Sequence, residues 1–152
     1  MCVIIDADRL CAFANGDAEE PLKGDMARLR EWVEDDGRIV YSQYGKYVKE
    51  VKRANVTALM EGYKGAGKAK LFDKGKYTNA IKKFGKLKVR SNDQHILALA
   101  EASGVTMLCT GDNRLIRDFK KYIPGAKIYP DRKIYPNSQK AQEKMLRENT
   151  CP

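Results

Sequence analysis

Short apolar runs alternate with amphipathic stretches along the chain, beginning with the sequence CVII at residues 2–5. An unbroken apolar run rich in β-branched residues predicts a strand that is buried on both faces. Residues 38–41 and 105–110 have the same character and predict two further strands. Residues 127–129 predict a last short strand, and residues 87–89 predict a brief one.

Helical spacing of apolar residues fills the intervals between these runs. Over residues 25–35 the apolar side chains, Trp32 among them, recur on one helix face, and Gly37 ends the helix. Residues 69–72 fit either a short strand or the start of a helix, whereas the glycines of residues 62–70 predict a loop. The other predicted helices cover residues 9–15, 44–61, 76–85, 92–103, 112–122 and 138–148.

Strands that alternate with helices predict an α/β fold, a three-layer α/β/α sandwich around a mainly parallel central sheet. The 152 residues suit a single domain, with a core over residues 2–130 and a C-terminal extension over residues 131–152. That extension is either a polar terminal helix or a loosely attached tail. Right-handed crossovers bring the strand-to-helix junctions of such a fold to one edge of the sheet, where ligands bind.

Composition places the chain among folded, soluble proteins. Hydrophobic residues make up 43% and charged residues 32% of the sequence, which is typical of a globular chain and not of a disordered one. No apolar run approaches the roughly 20 residues that cross a bilayer. Acidic residues follow the first apolar run at once, which argues against a signal peptide. We therefore expect a cytoplasmic protein without a membrane partner.

The four cysteines show neither a CxxC motif nor the spacing of a zinc site. Cys2 and Cys109 lie in apolar runs, where a free cysteine behaves as a small hydrophobic residue. Cys151 lies in the predicted tail. We therefore expect no disulfide framework, in agreement with a cytoplasmic location.

Basic residues are concentrated in one segment of the chain. The formal net charge is +9, and residues 64–90 contain ten basic residues and one acid, Asp73. A solvated surface ordinarily mixes both signs, so a stretch of one sign this long favours a polyanionic partner over a plain solvated face. Interleaved aromatic residues could stack on bases. The candidate RNA-binding residues are Lys64, Lys68, Lys70, Lys74, Lys76, Lys82 and Lys83.

Carboxylates occupy the junctions at which ligands of this fold bind. Asp6 ends the first strand, Asp112 follows the strand at residues 105–110, and Asp93 opens the helix at residues 92–103. Each alone fits the common preference for acids at helix starts, and Ser91 with Gln94 forms a capping-box pattern beside Asp93. Three that converge require a cation, and oxygen ligands favour one or two Mg²⁺ or Mn²⁺ ions.

Three segments, IIDAD, NDQHILALA and VTMLCTGDNRLIRDF, resemble the pattern of the PIN-domain family, and the resemblance spans roughly residues 2–130. Members of that family are mostly metal-dependent ribonucleases, and many are toxins of bacterial toxin–antitoxin pairs. The resemblance implies a cytoplasmic endoribonuclease that hydrolyses RNA, with Asp6, Asp93 and Asp112 as metal ligands. It also implies an antitoxin protein and a homodimer as partners.

The family motif further contains a glutamate in a central helix. After residues 38–41 the first acid is Glu50, which we assign to this role, with Glu61 as the alternative. Three other residues are candidates to support the site. They are Thr110, through its hydroxyl, Asn92, through a hydrogen bond from its side-chain amide to a carboxylate, and Asp8, as an accessory ligand.

Other signals are interpreted as structural. His95 follows Asp93 by two residues, which on a helix points it to a different side, so we interpret it as a packed, hydrogen-bonded histidine. Asp118 is expected at the surface or supporting the site from behind. Residues 62–68 match GxxxxGK, but Ala69 stands where a P-loop needs Ser or Thr, so we do not expect nucleotide binding.

Two other functions compete with the nuclease. A haloacid-dehalogenase-like phosphatase would use Asp6 as nucleophile and Asp8 as acid, since DAD resembles its DxD motif and Gly111-Asp112 its last acidic motif. Leu10 departs from that family's Thr or Val. A non-catalytic RNA-binding module would keep the basic segment without the chemistry.

Overall fold

A computed structural model describes residues 2–15, 22–131, 139–149 and 151–152. Within these residues the chain forms five strands and eight helices. The strands are β1 (Cys2–Ile5), β2 (Arg38–Val40), β3 (Ala69–Lys70), β4 (Met107–Cys109) and β5 (Lys127–Tyr129). The helices are α1 (Ala7–Asn15), α2 (Leu22–Asp35), α3 (Gly45–Arg53), α4 (Thr57–Gly65), α5 (Lys74–Gly85), α6 (Gln94–Ser103), α7 (Asn113–Tyr122) and α8 (Gln139–Arg147).

The five strands form one parallel sheet in the order β3-β2-β1-β4-β5. Strand β1 lies at the centre, where Val3 pairs with Ile39 of β2 on one side and Ile5 pairs with Cys109 of β4 on the other. The chain runs outward from β1 to β3 and then returns to add β4 and β5 on the opposite side. The strand order therefore reverses between β1 and β4, the position at which open α/β sheets bind their ligands.

Burial follows from this arrangement. Strands β1 and β4 are fully buried, as expected for central parallel strands covered by helices on both faces. Residues 95–100 of α6 are also all buried, so this helix lies inside the molecule rather than on its surface. The α/β fold predicted from the alternating pattern is confirmed, and its helices and sheet agree with a three-layer sandwich.

Several predicted elements differ from the structure. The helix predicted over residues 44–61 is divided into α3 and α4, because Asn55 adopts a left-handed conformation with a φ of 55°. The predicted loop at residues 62–70 is partly helical, since α4 continues to Gly65. Residues 87–89 form a turn in which the Val89 amide donates to the Leu87 carbonyl, so the strand prediction there is wrong.

Residues 139–149 of the C-terminal extension pack firmly, so of its two interpretations the polar terminal helix is confirmed and the loose tail is wrong. Helix α8 buries Gln142 and Leu146, and the Asn149 side-chain amide donates to the Cys2 carbonyl over 2.6 Å. Cys2 and Cys151 form a disulfide, so the expectation of free thiols is also wrong for this pair. The predicted helix start at residue 138 lies outside the described residues.

The disulfide could not be found from spacing, since 149 residues separate its cysteines and only the folded chain brings its two ends together. Disulfides are rare in the reducing cytoplasm, so the bond weighs against a cytoplasmic location, which stays a prediction. Across the part of the chain that is described, every helix is too short or too polar to cross a membrane.

Candidate carboxylate site

Asp6 lies directly beyond the carboxyl end of β1, beside the end of β4. Its backbone amide continues the parallel pairing by donating to the Cys109 carbonyl over 2.9 Å. Both carboxylate oxygens accept hydrogen bonds, one from the Thr110 hydroxyl at 2.7 Å and one from the Ala7 amide at 2.8 Å. Only 6% of Asp6 is exposed. Its carboxylate is therefore held in one orientation at the point where the strand order reverses.

Burial raises the pKa of the Asp6 carboxyl group from 3.8 to about 6. The hydrogen bond from Thr110 opposes this rise, whereas the nearby charges of Asp8 and Asp93 add to it. Among the residues that the structure describes, no Lys or Arg forms an ion pair with Asp6. This buried charge thus lacks a compensating cation, which is unfavourable unless the cation comes from outside the chain.

Helices α3 and α6 bring a second group of charged side chains to the same edge. The Glu50 carboxylate contacts His95, with 2.8 Å between Oε2 and Nε2. The other ring nitrogen of His95, Nδ1, lies 3.9 Å from Oδ1 of Asp93. One potential ligand atom from each of the three residues lies within 4.8 Å of the others. Glu50, Asp93 and His95 could therefore hold a metal ion.

Lys46 lies between the two carboxylates of this group. Its ammonium nitrogen is 2.9 Å from Oδ1 of Asp93 and 3.4 Å from Oε1 of Glu50. Burial alone would lower the pKa of Lys46, but Asp93 and Glu50 outweigh it and raise that pKa. Burial would likewise raise the pKa of Glu50, but His95 and Lys46 hold it below its ordinary value. A side-chain cation thus balances two of the carboxylates.

Asp8 and Asp112 lie on the other side of Asp6. The Gly111 amide donates to Asp8 over 2.9 Å, which ties the start of α1 to the loop after β4. Burial raises the pKa of Asp8, and the Arg9 guanidinium, 3.6 Å away, opposes this. Asp112 caps α7 by accepting from the Arg114 amide over 2.7 Å. Its carboxylate is half-buried and raises the pKa of Asp8 through its charge.

Further contacts connect these side chains into one region. The Tyr47 hydroxyl donates to the Ile5 carbonyl over 2.9 Å, which fixes α3 against the end of β1 and thereby places Glu50. Burial raises the pKa of Tyr47, and the charges of Asp6 and Glu50 add to the shift. Asp6, Glu50, Asp93 and Asp112, the four carboxylates predicted as ligands, thus all lie along one edge of the sheet.

Three other predicted acids and amides have different surroundings. Glu61 lies on α4, where it accepts from the Tyr41 hydroxyl over 2.9 Å, away from the residues above. The Asn92 backbone carbonyl accepts a hydrogen bond from Lys46. None of the described hydrogen bonds joins the Asn92 side-chain amide to a carboxylate, the contact that the sequence analysis predicts. Asp118 is buried and accepts from the amides of Arg90 and Ser91, so of its two expected positions the surface one is wrong and the one behind the site remains.

His95 and Lys46 are the site residues that the sequence analysis missed. The rule that residues two apart on a helix point to different sides fails here, because Asp93 is the N-cap and has non-helical dihedrals. The capping-box pattern fails for the same reason, and Ser91 instead accepts from the Asp93 amide over 3.4 Å. Lys46 did carry a signal, since it lies four residues before Glu50 on one helix.

Three of the lysines predicted to bind RNA contact other residues of the chain instead of being free at the surface. Lys68 donates to the Asp35 carbonyl and Lys70 to the Pro152 carbonyl. Lys64 lies 3.5 Å from Glu61. These three lysines lie beside the outer strand β3 and act in part as structural contacts.

The lysines of α5 are more available. Lys76 and Lys82 are exposed, whereas Lys83 pairs with Glu101 at 2.5 Å. Lys74 lies over the ring of Tyr44, 5.3 Å from its centroid. Because Tyr44 is the N-cap of α3, the start of α5 lies beside the helix end that carries Lys46. A basic surface therefore adjoins the carboxylates on this side.

Comparisons of the chain with protein-family models, with curated proteins and with solved structures gave no match. The chemistry of the side chains at the carboxyl edge is therefore what bears on function. Two features there suit a divalent cation: a buried carboxylate without a cationic partner among the described residues, and a carboxylate pair that already binds an ammonium group.

Proposed function

We propose that the protein is a divalent-metal-dependent endoribonuclease whose active site lies at the carboxyl edge of the sheet. The observation that carries this proposal is the close group of Glu50, Asp93 and His95, whose ligand atoms lie within 4.8 Å of one another. Asp6 and Asp112 lie along the same edge of the sheet, where the strand order reverses. Protein stability alone does not favour such a gathering, because like charges at short range repel.

Mg²⁺ or Mn²⁺ is the cation that this donor set suits. Glu50 and Asp93, which the structure brings together, would hold it, with Asp6 and Asp112 of the same edge as the further predicted ligands. The imidazole of His95 beside Glu50 favours Mn²⁺, since Mg²⁺ takes oxygen ligands almost alone. When bound, such an ion stabilises the charge that develops on a phosphodiester during in-line attack by water.

The chain itself supplies the remaining requirements. Thr110 and the Ala7 amide orient Asp6, and Tyr47 fixes the helix that carries Glu50. Exposed lysines at the start of α5, Lys74 and Lys76, provide the positive surface for an RNA backbone. The resemblance to the PIN-domain family supports the same activity, and with it a toxin role, an antitoxin partner and a homodimer.

The test is cleavage of a labelled structured RNA by the purified protein with Mg²⁺, with Mn²⁺ and with EDTA. Asp93→Asn should lower the rate by about 100-fold or more, because it weakens binding of the ion that stabilises the charge of the transition state. Asp36→Asn is the matched control, because Asp36 is exposed and lies beside the start of β2, at the opposite end of the sheet. Its rate should equal that of the wild type.

Other outcomes separate the competing functions. Cleavage that persists in EDTA or in Asp93→Asn would contradict the proposal. Absence of cleavage together with tight, salt-sensitive RNA binding would favour the RNA-binding module, which the exposed lysines also support. A phosphatase would be inactivated by Asp8→Ala, whereas the nuclease should only be weakened, because Asp8 lies in the first turn of α1 and is more exposed than Asp6.

A further inference from the structure

A small cleft opens beside the carboxylates, between the end of the sheet and α7. Its volume is about 160 Å³. The residues that line it are Thr110, Asn113, Ile116, Lys120, Ile128, Pro130 and Asp131. Thr110 belongs to both sites, because its hydroxyl donates to Asp6 over 2.7 Å. Whatever fills the cleft therefore lies next to the proposed reaction centre.

The cleft has apolar walls and a polar rim. Ile116, Ile128 and Pro130 supply the apolar surface. Asn113 is exposed in the first turn of α7, immediately after Asp112, and Lys120 is exposed two turns further along the same helix. Asp131 adds a carboxylate to the lining. A flat apolar group with polar edges would match this lining, with its faces against the aliphatic side chains and its edge at the amide of Asn113.

We propose that this cleft binds one unstacked nucleobase of the RNA, next to the phosphodiester that is cleaved. The inference rests on the proposed nuclease function and extends it to substrate selection. Pockets that enclose a whole drug-sized molecule measure roughly 300–1,000 Å³, so this cleft fits a fragment the size of a single base. Sequence-specific RNA recognition works mostly in this way, by splaying single-stranded bases into pockets and bonding to their edges.

Asn113 is the residue that would read the base. Its amide offers a donor and an acceptor side by side, the arrangement that forms paired hydrogen bonds to a base edge. Lys120 and Asp131 place opposite charges in the lining, so the adjacent phosphate would approach from the Lys120 side. Asp112 next to Asn113 belongs to the carboxylate site, so base recognition and cleavage would occur within adjacent residues of one helix.

The test measures cleavage positions in a pool of short single-stranded RNAs of random sequence, by sequencing the new ends. We expect the wild type to prefer one base next to the cleaved bond by about five-fold or more, the discrimination that a paired contact to a base edge provides. Asn113→Ala should reduce this preference towards equal use of the four bases while cleavage continues. Ile116→Trp, which fills the cleft, should remove it as well.

Asn79→Ala is the matched control, since Asn79 is an exposed asparagine on α5, away from the cleft. It should keep the wild-type preference. A thermal unfolding curve for each variant shows whether it is folded.

A second measurement separates binding from chemistry. In the Asp93→Asn background, removing the base at the preferred position of a short RNA should weaken its binding about five-fold, and removing a base three positions away should not. This difference should vanish when Asn113→Ala is added.

The outcomes distinguish failure of the nuclease proposal from failure of the base-binding cleft. A wild-type protein that cleaves no RNA in the pool overturns the nuclease proposal and this inference with it. Cleavage without base preference, or with a preference that survives both Asn113→Ala and Ile116→Trp, overturns the cleft as a base-binding site and leaves the nuclease proposal standing.

Discussion

The two ends of the parallel sheet differ in how their buried charges are compensated. At the amino end, the Cys2 carbonyl accepts from the side chain of Asn149, and Cys2 itself is bonded to Cys151. At the carboxyl end, Asp6 is buried without a cationic partner among the described residues, and Nδ1 of His95 has no hydrogen-bond partner there either. An unpartnered ring nitrogen occurs at both ends, since Trp32 Nε1, beside Gly37 at the amino end, also lacks a partner among the described residues. The amino end is joined to the C-terminal residues through the hydrogen bond and the disulfide of Cys2, whereas the carboxyl end holds the buried charge of Asp6.

This difference separates stability from function within one small domain. Buried polar groups are ordinarily paired, so each unpaired group at the carboxyl end costs stability that the rest of the molecule must supply. Proteins accept such costs mainly at functional sites. The amino end, with its disulfide and buried Leu146, is where the compensating stability is expected. Each prediction below alters one end and leaves the other intact.

The largest effect on stability is expected from breaking the Cys2–Cys151 disulfide at the amino end of the sheet. In the chain-entropy model, a disulfide that closes a loop of 149 residues contributes up to about 5 kcal/mol to the free energy of unfolding. Urea unfolding with and without dithiothreitol should show a loss of this order, and Cys151→Ser should lose as much without reductant. Cys11→Ser is the control, since Cys11 is an exposed free thiol. Identical midpoints in the two conditions would show that the bond does not stabilise the fold.

The same two ends show what the sequence could predict. The apolar runs of β1 and β4 are continuous, so their burial and the position of Asp6 beside Thr110 follow from local pattern and parallel topology. The contact of Asn149 with Cys2 spans 147 residues and depends on where α8 packs, which no local pattern encodes. The contacts between Cys2 and the C-terminal residues could therefore not be predicted from the sequence, whereas the positions of the residues that follow β1 and β4 largely could.

Within the carboxyl edge, the limit was set by helix boundaries. Asp93 is the N-cap of α6 and His95 lies in its first turn, so their side chains can approach each other. A helix predicted to begin at residue 92 places Asp93 inside the helix and turns the two side chains apart, so an error of one or two residues in the helix start hides the contact. Lys46 and Glu50, by contrast, share one helix, and their spacing alone predicts their 3.4 Å contact.

A smaller effect of opposite sign is expected from neutralising the carboxyl end. Asp6→Asn should stabilise the metal-free protein at pH 8 by up to about 2–3 kcal/mol, because the folded state no longer has to bury this charge. Asparagine can keep both hydrogen bonds, accepting from the Ala7 amide and donating to the Thr110 hydroxyl. Urea unfolding of both proteins measures the difference, with Asp36→Asn as a surface control.

The sign of its pH dependence follows from the raised pKa. The folded state holds the Asp6 proton more tightly than the unfolded chain, so this group favours folding below pH 3.8 and loses that contribution as the pH rises to about 6. The advantage of Asp6→Asn should therefore grow between pH 4 and pH 6 and stay constant above. An advantage that is independent of pH would show that burial of the charge is not its cause.

The smallest effect concerns Lys46, a cation that the chain itself supplies to the carboxyl end. Lys46 neutralises part of the charge of Glu50 and Asp93, so it competes with any metal ion for the same oxygens. Since half of its side chain is exposed, its attraction is screened and worth about 1 kcal/mol. Lys46→Met should therefore tighten Mn²⁺ binding about five-fold in isothermal titration, whereas Lys49→Met, an exposed lysine of the same helix, should not change it. Unchanged affinity in Lys46→Met would mean that the ion binds away from Glu50 and Asp93, and the proposed ligand set would then have to be reduced to Asp6 and Asp112.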